Sequence, residues 1–504
     1  MNACLATAPA KARISPYEAG VFCLCLILYL ALRVPWIGHA IGWDEALNLC
    51  TTRALFAGGY DAYSVWFWRH PPLFNLTLLL LEPLRSGFIE RAQVLALGTW
   101  ALAVVILYLL NRRAFGPLTA LLATVALAVM PSARFFDVWV KQEPLLVLFG
   151  LLAILAQTAR RPAICGLFLG LAFLGKELAL FFALAILCLW LLEAPGKRRI
   201  RDLATVSLLT LAVAGWWYLF FSSSIRQFVA FATGAPVSDL TETRSFTEPW
   251  DYFLRALPAD FGWPGVLLAV VGLGCFGQMA WSCRGKPDAR PLPVTWWPLA
   301  LLLPAWLILT VSRGKAPWFL MSLYPALATL QAVGAVGLVS WFSARSAKVA
   351  CVLLVTGLLA GASLGGGGDY DAFLSRRLPR RFQHATTGSR EAAMLLNELR
   401  QPDEKVLITT YYFYSDSEFL CPILVSYLKP MPVLVRRHDI TPEQLMAETR
   451  TYNIQWALVA PDPSRNGVEF VREMAQHWQR RPLMCGGGIL LYRTAQPDLP
   501  LRRK

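Results

Sequence analysis

Long apolar runs, broken at short intervals by basic or aromatic clusters, fill the first 366 residues of the chain. A helix needs about 20 apolar residues to cross roughly 30 Å of hydrocarbon. Runs near that length recur at 17–37, 92–111, 117–134, 143–159, 163–176, 177–193, 203–222, 262–282, 294–311, 317–342 and 348–366. The pattern predicts a polytopic α-helical membrane protein of about eleven spans. Residues 163–176 and 177–193 are the shortest pair. Residues 72–84 are apolar but too short to span, and read as an interfacial or re-entrant piece.

The pattern changes at Gly365, Gly366, Gly367 and Gly368, a flexible break. Beyond it, residues 389–400 have helical spacing, with Ala392, Leu395, Leu396 and Leu399 on one face. Short apolar runs at 406–408, 433–435, 456–459 and 489–492 read as strands, with helical stretches near 417–428, 441–452 and 466–478 between them. This alternation predicts a soluble α/β domain over 369–504 with a largely parallel sheet. Gly486, Gly487 and Gly488 read as a turn, and no cofactor motif has the required spacing. The expected organisation is a membrane domain, 1–366, followed by this domain.

Composition agrees: 56% of the 504 residues are hydrophobic and 16% charged, too few charges to cover a soluble protein of this length. The net charge of +15 would suit nucleic acid, but its distribution excludes that reading. With the N-terminus inside, every inner loop is short and basic: Lys11 and Arg13; Arg112 and Arg113; Arg160 and Arg161; Lys197 to Arg201; Arg284, Lys286 and Arg290; Arg345 and Lys348. This positive-inside pattern places the loops 38–91, 135–142, 223–261 and 312–316, and everything after 366, outside the cytoplasmic membrane, in the periplasm of a two-membrane cell. Counting 72–84 as a span would break it. The eleven cysteines form no framework, although Cys421 and Cys485 could pair. The N-terminus has the basic and apolar pieces of a signal peptide, but Trp36 anchors an uncleaved first span.

Candidate chemistry lies in the outer loops. Trp43, Asp44, Glu45 and Ala46 open the first, with 46–56 reading as an amphipathic helix on the membrane. Tyr60, Tyr63, Trp66, Phe67 and Trp68 follow, either interfacial anchors or a stacking surface for a sugar or prenyl chain. Arg69 and His70 come next, then Pro71 and Pro72. Glu143 and Pro144, just after Lys141, start another span and also suit a capped helix start. Lys176 and Glu177 stand at the outer end of a span, and Arg313 and Lys315 begin another. Lysines at span ends often only snorkel. Carboxylates mixed with several cations nevertheless suit one reaction: a carboxylate takes the proton of an attacking hydroxyl while cations stabilise a departing phosphate. That is inverting glycosyl transfer from a lipid-linked sugar phosphate, which needs no second acid to protonate the leaving group.

These residues resemble the membrane-embedded glycosyltransferases of the GT-C fold, near family 39, which includes protein O-mannosyltransferases and lipid A aminoarabinose transferases. The matching pieces are Trp43–Ala46, His70–Leu73, Glu143–Pro144, Gly170–Glu177 and Lys315–Trp318; the last two look even more like a related polytopic family associated with flippase activity. The resemblance covers residues 15 to about 342, and the tail is similar to the exported α/β domain of these enzymes. It implies Asp44 as catalytic base, Glu45 as its neighbour and Glu143 as the acid of the second outer loop. Arg69, His70, Lys141, Lys176, Arg313 and Lys315 would contact the donor phosphate or sugar. Many members carry Asp where this chain has Glu143, and an extra methylene moves the carboxylate. Some relatives use a divalent metal, which Asp44 and Glu143 would hold here; others use none, and the metal is left unassigned. The implied partners are a polyprenyl-phosphate-linked sugar donor and a glycan, lipid or protein acceptor. The alternative is a flippase for a lipid-linked glycan, although such proteins place charges near the bilayer midplane and show internal repeats.

Overall fold

The computed structural model describes residues 14–39, 70–81, 87–193, 197–221, 249–282 and 293–340 nearly in full. Of the remainder it describes 392–399, 404–410, 433–437, 450–459, 483–484 and 490–493, with scattered positions elsewhere. The chain falls into two units. One is Met1–Gly38, Leu55–Ala235 and Thr243–Gly368; the other is His39–Ala54, Pro236–Glu242 and Asp369–Lys504. Part of the loop 38–91, including Glu45, is thus grouped with the second unit and not with the helices.

The first unit is helical. Helix α1 (Pro16–Ala31) starts on Ser15, whose hydroxyl accepts the Glu18 amide at 3.1 Å, with proline in the first turn. A 3₁₀ turn, Val34–Trp36, follows. Helix α2 (Leu73–Leu79) has seven residues, about 10 Å of rise, so the apolar run at 72–84 does not cross a bilayer as a helix. Then come α3 (Phe88–Phe115), α4 (Pro117–Val129), the short α5 (Pro131–Phe136), α6 (Glu143–Thr158) and α7 (Pro162–Gly175). A 3₁₀ turn, Glu177–Ala179, leads into α8 (Leu180–Leu192). Helix α9 (Lys197–Thr210) passes through a π-helical turn, Leu211–Gly215, into α10 (Trp216–Phe220). Helix α11 (Tyr252–Ser282) is interrupted at Gly262, whose φ of 68° lies in the region that favours glycine, between Pro258 and Pro264. Helix α12 (Trp297–Val311), a 3₁₀ segment (Pro317–Leu323) and α13 (Tyr324–Ser340) complete the set.

Among the described residues, six stretches are long and apolar enough to cross a membrane: Pro16–Trp36, Phe88–Phe115, Arg199–Phe220, Tyr252–Ser282, Pro293–Val311 and Trp318–Ser340. Shorter apolar helices at Pro117–Val129, Glu143–Thr158, Pro162–Gly175 and Glu177–Leu192 stand at four further expected positions. The run 348–366, apart from Val349, lies outside the described residues. Helix α13 is the most enclosed of the six. Its Gly334 and the Gly272 of α11 let the two backbones touch, since a Cβ on either would overlap a carbonyl of the other helix. Deeper in, Asn111 donates to Thr329 at 2.9 Å and accepts from Trp297 Nε1 at 3.2 Å, tying three helices through one buried amide. At the N-terminal end of α1, Glu18 takes Arg112 at 2.5 Å and the Tyr108 hydroxyl, binding α1 to α3.

In the second unit, residues 392–399 are helical and bury Ala392, Ala393 and Leu396. Strands β1 (Val406–Thr410), β2 (Val433–Arg437), β3 (Trp456–Val459), β4 (Leu483–Met484) and β5 (Leu490–Arg493) form one sheet in the order β2-β1-β3-β5-β4. Strand β1 runs parallel to β2 and β3, but β5 is antiparallel to both β3 and β4. The expected largely parallel sheet is therefore mixed. Only residues 485–489 join β4 to β5, and a connection that short closes a hairpin, whereas parallel neighbours need a crossover of a dozen residues or more. The two-residue β4 is too short to read from hydropathy. The expected helices at 417–428 and 466–478, and most of 441–452, lie outside the described residues.

Candidate active site

The site is built on the segment between α5 and α6. Helix α4 ends because Pro131 has no amide to give, which strips the Leu127 carbonyl of its usual partner four residues on. Arg33 fills that gap from the C-terminal end of α1. Its guanidinium donates to Leu127 O at 3.0 Å, Ala128 O at 2.9 Å and Tyr29 O at 3.1 Å, and its Nε meets Asp137 Oδ2 at 2.7 Å. The Tyr29 hydroxyl donates to the same carboxylate oxygen at 2.5 Å. Both charged side chains are fully buried. Burial pushes the Asp137 carboxyl up from the usual carboxylate range, and Arg33 and Tyr29 pull it back.

One guanidinium thus fixes where the segment 137–142 begins. Removing one partner of a buried pair leaves an uncompensated charge and costs about 3–5 kcal/mol. Arg33→Met is expected to lower the unfolding midpoint in detergent sharply, and Asp137→Asn by nearly as much. Unfolding curves of both variants beside the wild type check this.

Glu143 is the first residue of α6, where the helix dipole favours its charge and Pro144 is tolerated. Lys176 follows the last residue of α7, where the backbone turns extended (φ −164°, ψ 150°). The Lys176 ammonium pairs with Glu143 Oε1, both side chains being buried. Glu143 Oε2 has no hydrogen-bond partner among the described residues. The neighbouring Glu177 brings Oε2 to 3.5 Å from Nδ1 of the half-exposed His70, while its Oε1 is buried without a partner among the described residues. The 3₁₀ segment after α12 lays two aromatic rings over the cations. Lys141 Nζ sits 3.5 Å from the Trp318 ring centre and 4.6 Å from that of Trp139, and Lys176 Nζ is 5.8 Å from that of Phe319. A desolvated cation–π contact contributes about 2 kcal/mol.

The structure therefore brings His70, Lys141, Glu143 and Lys176 into one continuous cluster, joined by Glu177, Trp139, Trp318 and Phe319. Lys315 is also buried, its ammonium bonded to the Ser312 carbonyl, whereas Arg313 is exposed and its amide bonds Ala232 O at 2.8 Å. Glu45, in the second unit, is buried with its carboxylate 3.8 Å from His39 Nε2. Asp44, Arg69 and the aromatic run 60–68 lie outside the described residues. The Arg33–Asp137 lock has no signal in the sequence, since its two residues lie 104 positions apart. Trp318 carried a signal, standing three residues after Lys315 at the start of an apolar run. Among the described residues no three His, Cys, Asp or Glu side chains gather as metal ligands, and the Glu143 charge is met by an ammonium.

The family model for dolichyl-phosphate-mannose-protein mannosyltransferases matches residues 69–220, the stretch holding His70, Lys141, Glu143 and Lys176. The ArnT protein of Cupriavidus metallidurans, solved with undecaprenyl phosphate bound, aligns with a TM-score of 0.60 at 16% identity, covering 96% of this chain and 99% of that one. The oligosaccharyltransferase of Archaeoglobus fulgidus in its apo form gives 0.53 at 11% identity, over 88% of this chain and 69% of its own. Arabinofuranosyltransferase AftD from Mycobacteria gives 0.52 at 16% identity, over 98% and 40%. A comparison with curated protein sequences finds no match. The helices and these likenesses define the class: a multi-pass membrane protein with the GT-C glycosyltransferase fold. Within that class the chain resembles glycosyltransferase family 39.

Proposed function

We propose that the protein is a glycosyltransferase that moves a sugar from a polyprenyl-phosphate-linked donor to an acceptor hydroxyl at the outer face of the cytoplasmic membrane. The observation that carries this reading is the pair of buried lysines, Lys141 and Lys176, held under aromatic rings beside the buried Glu143 carboxylate. The likeness to a protein solved with undecaprenyl phosphate supports the donor class.

The reaction follows from charge. An acceptor oxygen attacks the anomeric carbon from the face opposite the phosphate, the bond from that carbon to the phosphate oxygen breaks, and the configuration inverts. The departing polyprenyl phosphate is a stable anion, so cations and not an acid are needed on its side. Lys141 and Lys176 fill that role, each hydrogen bond to the phosphate contributing about 1.5–3 kcal/mol. Lys176 is already paired, so the incoming phosphate displaces Glu143 from it. Asp44 takes the acceptor proton, a role that rests on the resemblance of the first-loop motif. His70, its Nδ1 3.5 Å from Glu177 Oε2, stands beside these lysines as a further polar contact. The basic loops support an N-terminus inside, about eleven spans, and a soluble sheet domain outside.

The test is product chemistry in liposomes reconstituted with purified protein and a panel of polyprenyl-phosphate sugars and acceptors. Free polyprenyl phosphate and a glycosylated acceptor of inverted configuration are expected. A donor that crosses the bilayer intact and is never cleaved would overturn the enzyme in favour of a flippase.

A further inference from the structure

We infer that Tyr218 is a positioning residue for Lys176, carried into place by the π-helical turn at Leu211–Gly215. This rests on the reading of Lys176 as a donor-phosphate ligand.

The argument begins at the end of α7. Because Lys176 turns extended, the last carbonyls of that helix lose their regular partners. The Phe173 carbonyl, three residues before Lys176, accepts instead from the Tyr218 hydroxyl at 2.8 Å. The two rings also meet edge to face, with centres 6.2 Å apart. The hydroxyl lies within electrostatic reach of Glu177, the residue after Lys176. A bond from another helix thus fixes the turn of chain that carries both Lys176 and Glu177.

The π turn sets the register of that bond. A π turn inserts one extra residue, and each residue of an α-helix is worth about 100° of rotation. Were the helix regular from Lys197 to Phe220, Tyr218 would point about 100° away from Phe173. The irregularity is held from both sides. A Cβ on Gly166 of α7 would strike the Val206 backbone, and one on Gly170 would strike Val213, so the helices pack backbone to side chain along this stretch. Thr210 Oγ1 donates to Gly166 O at 3.2 Å, and Trp216 Nε1 caps the Val213 carbonyl inside the turn at 2.8 Å. π turns of this kind concentrate at functional sites, and this one aims a hydroxyl at the segment bearing the donor lysine.

The experiment measures binding of undecaprenyl phosphate to full-length protein in nanodiscs, with thermal unfolding recorded alongside. Tyr218→Phe removes only the hydroxyl and is expected to weaken binding about tenfold, as loss of one buried hydrogen bond implies. In a Lys176→Met background the same change is expected to have no further effect, because the group being positioned is gone. Deleting Ala212, which returns the turn to α register, should reproduce the Tyr218→Phe loss and add nothing to it. Should the deletion fail to fold, the Tyr218–Lys176 cycle still decides. Unchanged binding in Tyr218→Phe, or an additive loss in the Lys176→Met background that follows the unfolding midpoint, overturns the inference. If Lys176→Met weakens binding and Tyr218→Phe does not, only Tyr218 falls. If Lys176→Met leaves binding intact, the donor-site reading falls with it.

Discussion

Asp44→Asn is expected to slow sugar transfer by about 10²–10⁴-fold while leaving donor binding and the unfolding midpoint unchanged. Asparagine keeps the shape of the side chain and can still hydrogen-bond, but it cannot hold the proton of an attacking hydroxyl. Its neighbour Glu45 is buried 3.8 Å from His39, so Glu45→Gln removes a charge from an enclosed environment and is expected to have a smaller, mixed effect on rate and stability. Single-turnover measurements with donor already bound separate the two. Near-normal turnover in Asp44→Asn would remove the base from the mechanism.

The second large effect divides the Lys176–Glu143 pair by sign. On the proposed role of Lys176, Lys176→Met is expected to remove a charge-assisted contact to the donor phosphate, about 1.5–3 kcal/mol, which is roughly 10- to 150-fold in affinity. It also leaves the Glu143 carboxylate buried beside a methyl thioether, a loss of about 3–5 kcal/mol in stability. Glu143→Gln does the reverse at the phosphate. The amide still accepts from Lys176, but no negative charge competes for the ammonium, so undecaprenyl phosphate is expected to bind at least as tightly as in the wild type. Titrating both variants with the same lipid checks this. Weaker binding in Glu143→Gln would mean that the carboxylate contacts the donor complex directly and is not merely displaced by it.

Hydropathy made the spans legible because the bilayer imposes length and polarity on each run separately, without reference to partners. Most described helices from 88 to 340 overlap an apolar run that predicts one. Helix α5 (Pro131–Phe136), however, runs past 134 into an expected loop, and α11 begins at Tyr252, ten residues before its run. Lys141 and Lys176 stand at the ends of such runs. Pairings between runs were not legible. Arg33 and Asp137 are 104 residues apart, and neither spacing nor composition links them; only a proline that starves a carbonyl in α4 explains why an arginine belongs there. The π turn at 211–215 has no local signature, since Leu211, Ala212, Val213, Ala214 and Gly215 would continue a helix equally well in α register. It is set by the packing of Gly166 and Gly170. In the second unit, the parallel centre followed from strands separated by helical stretches, while the antiparallel edge depended on a two-residue strand.

The Arg33 lock also bears on how the protein is made. At about 5–20 residues per second, a ribosome reaches Asp137 some 5–20 s after Arg33. Leu127 and Ala128, two further acceptors, emerge only shortly before. For that interval the first span holds a guanidinium with only the Tyr29 carbonyl of its own helix in place among its final partners, and an arginine at the centre of a span costs about 2.5–3.5 kcal/mol on insertion scales. Its place at the C-terminal end of α1 lets it reach headgroups and water meanwhile. The first span therefore enters the bilayer in one state and is drawn into its final setting by the fourth helix and the acid that follows it, so that closing the lock is a late, post-insertional step in biogenesis.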